Sequence, residues 1–233
     1  MVNLGTALAN YFKRDVTVVD CNITTSHLAL HLGMYYSPVT LNKVLRDESP
    51  IQEAIYEHFS GLKVIPAALS VRELEGLDMI KLKEKLNELT NLSEIVLLDS
   101  APGLGREAIS TLRSGDEVLY ITTPYVPSLM DIIRTQEVVS ELGIKSIGIV
   151  LNMVRNEKHE LTNSEIEHLT GLPVIAKIPF DKNIPRSVAV KTPIVLLNPR
   201  SKASREFLKL AAFLIGETYK ESFFSRFLGF IFR

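Results

Sequence analysis

A chain of 233 residues, 46% of them hydrophobic, has the size of one α/β domain with a substantial core, and 26 Lys and Arg against 27 Asp and Glu leave no global field to draw it onto nucleic acid. The single cysteine, Cys21, excludes a disulfide framework and any iron–sulfur or structural zinc site built within one chain, and it fits a reducing compartment. No apolar run approaches the length of a bilayer span, and the residues after Met1 form an amphipathic segment with none of the marks of a signal peptide.

Leu4, Ala7, Leu8 and Tyr11 recur at helical spacing, so the chain opens on a helix that lacks an N-cap. Strand-like apolar runs follow at Val16 to Val19, Lys63 to Pro66, Glu94 to Leu98, Val118 to Thr122, Ile147 to Leu151 and Val174 to Ile178. Helical patterns fill the gaps, with Ile80, Leu82, Leu86 and Leu89 over Met79 to Leu89, and Leu129, Ile132, Ile133, Val139 and Leu142 over Ser128 to Leu142. Strands alternating with helices predict right-handed crossovers and an α/β fold, a doubly wound, mostly parallel sheet with helices on both faces. Ligands of such sheets sit at the carboxyl ends of the strands. Asp20 and Asn22, Asp99 and Ser100, Thr122 and Thr123, Asn152, and Pro179 with Asp181 collect at those ends. The expected organisation is a domain over 1–215, a polar hinge over 216–222 and an apolar tail over 223–233.

Leu97 to Gly103 reads LLDSAPG, an apolar strand that ends on a carboxylate, Asp99, beside a loop made flexible by Gly103 and Gly105. This is the shape of a Walker B site, in which a carboxylate holds a hard cation through water. A carboxylate that caps the next helix is the other reading. The partner motif G-x-x-x-x-G-K-[ST] is not in the chain, which has no Gly-Lys pair. His27 and His31 lie four apart with no carboxylate or thiolate to complete a metal site, which leaves them a partly buried surface pair, and Cys21 reads as a small core residue.

VNLGTALA from Val2, VTVVDCNITTSHLALHLG from Val16, LLDSAPG from Leu97, VLN from Val150 and IPFD from Ile178 together resemble the MinD/ParA family of deviant P-loop ATPases, over nearly the whole chain, and most of all its MinD branch. The resemblance implies a P-loop NTPase-like fold that lacks its first strand, with ATP and Mg2+ as cofactors. It implies a homodimer formed with ATP, reversible attachment to an anionic membrane surface, a regulatory protein partner, and a role in placing the division septum or other cellular machinery. The location it implies is cytoplasmic, peripheral at the inner face of the cell membrane. By the same resemblance Asp99 is the metal ligand, Gly103 lies in the switch loop, Asp20 sits near metal and phosphates, and Asn152, Pro179 and Asp181 surround the adenine. Asn152 as a turn former is an equal alternative. Where the family commonly has a second aspartate, this chain has Asn22, which aligns a water but cannot take its proton, or else only shapes the turn.

Phe223, Phe224, Phe227, Leu228, Phe230, Ile231 and Phe232 surround a strip of Ser222, Ser225, Arg226, Gly229 and Arg233, the pattern of a helix lying in a membrane surface and too short to span it. Packing on the domain or on a partner helix is the alternative. Two other functions stay open: a non-catalytic interaction module of the same fold without a P-loop, and a ParA-like partitioning ATPase, which the balanced charge and the apolar tail weaken.

In the family the first strand, the glycine-rich loop and its lysines would all precede the residue that is Met1 here, and that strand runs beside the Walker B strand. A chain without it is expected to fold poorly alone, since unpaired buried backbone groups cost about 1–3 kcal/mol each. An incomplete gene model or fragment of an ATPase is the favoured explanation, with a P-loop-free relative as the second. The codons directly ahead of Met1 are expected to encode an apolar strand and a glycine-rich loop with lysine and threonine. A stop codon close upstream, with a ribosome-binding site fitted to Met1, would remove that explanation.

Overall fold

The β-branched and leucine-rich runs become strands at the expected places in a computed structural model of the protein, which describes residues 1–219. The strands are β1 (Val16–Asp20), β2 (Tyr56–Glu57), β3 (Lys63–Ile65), β4 (Ile95–Asp99), β5 (Glu117–Thr122), β6 (Lys145–Val154) and β7 (Val174–Pro179). Only the two-residue β2, antiparallel to β3, was not expected from the alternation of apolar runs. The helices are α1 (Val2–Thr6), α2 (Leu28–His31), α3 (Leu41–Leu45), α4 (Leu82–Asn87), α5 (Arg106–Ser114), α6 (Val126–Glu141), α7 (Asn163–Thr170), α8 (Asn183–Ala189), α9 (Ile194–Leu197) and α10 (Lys202–Leu214).

Local chemistry sets several of these boundaries. Thr162 and Glu165 form a reciprocal capping box at the start of α7, and Gly171 at φ 69° ends it in the left-handed conformation. Ser201 accepts the Ser204 N–H at the start of α10, and Gly216 at φ 68° follows its end. After α1 the chain continues as a π-helical turn over Ala7–Tyr11, closed by the Phe12 N–H donating to the Ala7 carbonyl at 3.2 Å. The wider turn rotates later side chains off the helix face. Leu4, Ala7 and Leu8 are therefore buried as expected, whereas Tyr11 is 52% exposed.

The strands form two hydrogen-bonded sheets, β2-β3-β1-β4 and β5-β6-β7. All pairs are parallel except β2 with β3, and β1 is buried at every residue, as a strand covered on both faces must be. Between β4 and β5 the ladder is interrupted. Every residue of β4 is only half-buried despite its apolar sequence, and Ile121 of β5 is 54% exposed. Across this split one apolar cluster is continuous: α1, the π-helical turn after it and α10 pack Leu4, Leu8, Leu208 and Ala211 against Val16 and Val18 of one sheet and Val150 and Ile178 of the other. On the opposite face the cover is divided, with α3 and α4 over the first sheet and α6 and α7 over the second. The polar hinge enters the described residues only at 216–219, and the expected aromatic tail, Phe223, Phe224, Phe227, Leu228, Phe230 and Ile231, lies outside them.

The interrupted ladder predicts uneven protection. Amides of β4 and β5 that face the split should exchange with solvent at least about tenfold faster than those of β1 and β6, measured by hydrogen exchange with residue resolution. Equal protection across all four strands would show that the two sheets are joined in solution.

Candidate functional site

Asp20 and Asp99 are the last residues of β1 and β4 and lie opposite each other in the parallel register. The Cys21 N–H donates to the Asp99 carbonyl at 3.0 Å, which extends the pairing one residue and buries Cys21 fully, the small core residue expected. Asp20 is completely buried, and its carboxylate organises the loop that follows. It accepts the Ser26 hydroxyl at 2.6 Å, the Asn22 N–H at 3.2 Å and the Leu28 N–H at 3.2 Å. Burial, together with the neighbouring charge of Asp99, nevertheless pushes its pKa up to about 6 against these hydrogen bonds. Burial also raises the Asp99 carboxyl, opposed by the Met1 ammonium and His31.

Asp99 opens on a cleft of about 220 Å³ that Met1, Asn3, His31, Ser187 and Thr192 also line. The Asn3 side-chain oxygen is buried without a hydrogen-bond partner among the described residues. A carboxylate, an orphaned amide oxygen and hydroxyl groups are hard oxygen donors, the set that suits Mg2+ through direct or water-mediated contacts. Asp99 with Asn3 would hold such an ion, which supplies positive charge next to phosphate oxygens. Gly103 sits at φ 76° in an open loop, with nothing within 4 Å of where a Cβ would be, so its backbone alone requires glycine.

Asn22 makes turn-shaping contacts: besides its N–H on Asp20, its side-chain oxygen accepts the Thr25 hydroxyl at 2.9 Å. The same loop carries a contact that the motifs did not reveal. Thr24 donates its hydroxyl, and its N–H at 3.4 Å, to the Glu107 carboxylate in the first turn of α5, directly after the Asp99 loop. Ser26 was equally invisible as an Asp20 partner. A buried Asp followed six residues later by Ser, in a stretch too polar for a helix, is the signal that would have found it.

The remaining candidates gather on the second sheet. Asn152, expected at a strand end, lies within β6, where the ladder to β7 shifts register between Leu151 and Val154. Its side-chain oxygen accepts the N–H of Met153, which has φ 57°. The Asn thus makes the turn-like contact weighed against base recognition, while its amide nitrogen stays available. The strand resumes with Val154 opposite Pro179, and the Arg155 guanidinium lies 3.7 Å from the centroid of the Phe180 ring. Asp181 is committed locally. Its burial is outweighed by hydrogen bonds from the Asn183 N–H at 2.9 Å and the Asn183 side chain at 2.8 Å, with Ser201 and Ala203, and its pKa is held below the usual carboxylate range. The candidates therefore form two groups, Asp20, Asn22, Asp99 and Gly103 on one sheet and Asn152, Pro179 and Asp181 on the other, on either side of the split. His27 and His31 are exposed, and no group of three or more metal-ligating side chains occurs among the described residues.

Polar side chains gathered at the carboxyl ends of the strands of a doubly wound parallel fold mark the ligand-binding end of an α/β domain. The chain belongs to the CobQ/CobB/MinD/ParA nucleotide-binding domain family, whose model matches residues 1–194, and within it to the MinD-like branch. It is 35% identical to an uncharacterized ATP-binding protein of Methanocaldococcus jannaschii, over 99% of this chain and 89% of that protein. The cell division ATPase MinD of Pyrococcus furiosus superposes with a TM-score of 0.87 at 31% identity, covering 92% of this chain and 90% of the other. This chain is likewise similar to the septum site-determining protein MinD of Pyrococcus horikoshii complexed with Mg-ADP, with a TM-score of 0.86 and 29% identity, covering 91% of this chain and 87% of the other.

The buried Asp20 gives a pH signature. A carboxyl whose folded pKa is raised contributes stability that is full below its unfolded pKa, near 3.8, and is lost as pH rises through about 6. Asp20→Asn should therefore melt higher than the parent at pH 8, by on the order of 2–3 kcal/mol less the hydrogen bond it gives up. At pH 4 the difference should vanish or reverse. Thermal melts across this range check the sign, and a variant destabilised equally at both pH values contradicts the burial argument.

Proposed function

We propose that the protein is a MinD-like ATPase in which ATP and Mg2+ drive homodimerisation and attachment to a membrane, for spatial regulation of cell division or positioning of cellular machinery. The observation that carries this reading is the adjacency of Asp20 and Asp99 at the carboxyl ends of β1 and β4, with Asp99 on a cleft that also presents the Asn3 amide oxygen and the hydroxyls of Ser187 and Thr192. In this reading Asp99 holds magnesium, Gly103 moves with the phosphates, and Asp20 fixes the loop from which Asn22 orients a water. Asn152, Pro179 and Asp181 border the base. The domain ends near residue 215, the hinge runs over 216–222, and the tail over 223–233 lies in an anionic bilayer surface. The protein is then cytoplasmic and peripheral at the inner face of the cell membrane, where a regulatory protein meets it.

A second reading, a non-catalytic interaction module of the same fold, is favoured by one fact: no lysine-bearing glycine-rich loop occurs in these 233 residues. Calorimetry separates the two. Without backbone donors and a lysine to neutralise the phosphates, Mg-ATP should bind this chain more weakly than micromolar. The residual affinity should depend on magnesium in the parent and lose that dependence in Asp99→Ala. Binding unaffected by magnesium in the parent favours the second reading, and micromolar binding reveals a substitute phosphate site.

Attachment through the tail has its own test. Each large apolar side chain contributes about 1.5–3 kcal/mol when fully buried, and each of Arg226 and Arg233 adds about 1 kcal/mol near an anionic surface. Partial insertion and the cost of ordering leave one tail weak, so two tails presented by a dimer should bind far better. The chain should co-sediment with phosphatidylglycerol vesicles, and changing Phe227 and Phe230 together to Glu should abolish this. A double variant that pellets like the parent would identify the tail as a packing element instead.

A further inference from the structure

Among the described residues β7 is the outer strand of its sheet and pairs only with β6, so one row of its backbone donors and acceptors is without a strand partner there. The Glu167 carboxylate takes the Val174 N–H at 2.8 Å and closes the first position of that row, leaving the stretch that leads through Lys177. Beside it runs α10, and the two, with the end of β6, enclose a cleft of about 510 Å³ lined by Lys177, Pro179, Lys202, Arg205, Glu206 and Lys209 among others. Arg205 has a partner of its own, so Lys177 and Lys202 give this cleft its excess of positive charge in a protein whose formal net charge is −1. Glu206 is engaged with Lys209 at 2.8 Å. Lys177 and Lys202 are exposed and, among the described residues, form no ion pair. Lys202, Glu206, Lys209 and Phe213 follow one helix face at intervals of four, three and four, and Phe213 is 53% exposed at the far end of the row.

We infer that this cleft binds an acidic segment of a partner protein, added in extended form to the free edge of β7 with its carboxylates on the lysines of β7 and α10. The edge selects a peptide because it offers alternating N–H and C=O groups, which a phosphodiester backbone cannot match pair for pair. The cationic wall selects the sign of the side chains and speeds encounter. Concavity disfavours a bilayer, which docks on flat or convex faces. Pro179, which borders the base in the nucleotide reading, also lines this cleft, whereas Asp20 and Asp99 do not, and neither the cationic wall nor the strand edge requires bound nucleotide.

The test uses the full 233-residue chain and fluorescence anisotropy with a labelled short peptide of alternating Glu and Val. The expected result is saturable binding that weakens by about tenfold or more in the double variant Lys177→Glu with Lys202→Glu. It should weaken comparably when alternate amides of the peptide are N-methylated, which removes strand pairing and keeps the charge. Both lysines are exposed, so the variant should melt like the parent, and a variant that does not is replaced by Lys177→Gln with Lys202→Gln. No saturable binding, or unchanged affinity of the charge variant, overturns the site. An N-methylated peptide that binds like its parent overturns the strand-addition geometry. Oligothymidylate or phosphatidylglycerol vesicles that displace the peptide at lower concentration than unlabelled peptide does would make the cleft a phosphate surface and overturn the choice of partner.

Discussion

A parallel sheet stands only when both of its faces are covered, and in this protein that cover is what joins two half-sheets whose strands do not hydrogen-bond to each other. The α1 and α10 helices lie across the interruption between β4 and β5, so Leu4, Leu208 and Ala211 belong to one apolar cluster with residues of both sheets. Hydrophobic contact is non-directional, and a shared core can hold the halves in place without fixing a ladder between them. The cost falls on β4 and β5, whose apolar side chains stay partly wet. Their half-burial also lets water reach backbone groups that would be far more expensive to leave dry. On the opposite face the division of cover between α3 with α4 and α6 with α7 leaves each half with its own local core.

The same interruption arranges the chemistry. Strand ends on one side contribute carboxylates and the open glycine loop, and those on the other contribute an amide, a proline and an aromatic ring stacked on arginine. Asp20 has a double character. Its three hydrogen bonds make it the internal scaffold of the loop after β1, while burial keeps its ionised form uncomfortable enough for a cation to be welcome nearby. A residue that shapes a loop and also biases the charge beside it is difficult to assign from a motif, because both roles ask for the same side chain.

Much of the architecture was legible because apolar runs with helical patterns between them leave few arrangements open. The runs at Val16, Glu94 and Val174 became β1, β4 and β7 within a residue or so of the expected limits. The two-residue β2 has too few residues for any period, and the π-turn at Ala7–Tyr11 is invisible to a pattern that assumes one helical pitch, which is why Tyr11 was misplaced. At the site, Asp20 and Asp99 could be read because each ends an apolar run. Thr24 and Glu107 could not, since their contact spans 83 positions and neither residue type is unusual in its own segment. The cationic cleft was hidden for another reason: summed charge averages over the whole surface, and Lys177 and Lys202 become neighbours only when α10 returns to β7.

The Thr24–Glu107 contact ties the loop that Asp20 organises to the helix that begins where the Asp99 loop ends. Two surface loops that would otherwise fluctuate separately thereby share one degree of freedom. A hydrogen bond to a carboxylate on an exposed surface is worth roughly 1 kcal/mol, about a fivefold bias between joined and separated states. That is enough for the loops to travel together most of the time, yet small enough for thermal motion to part them. Whatever displaces the start of α5 therefore pulls on the residues beside Asp20 as well, and a disturbance at either strand end is felt at both.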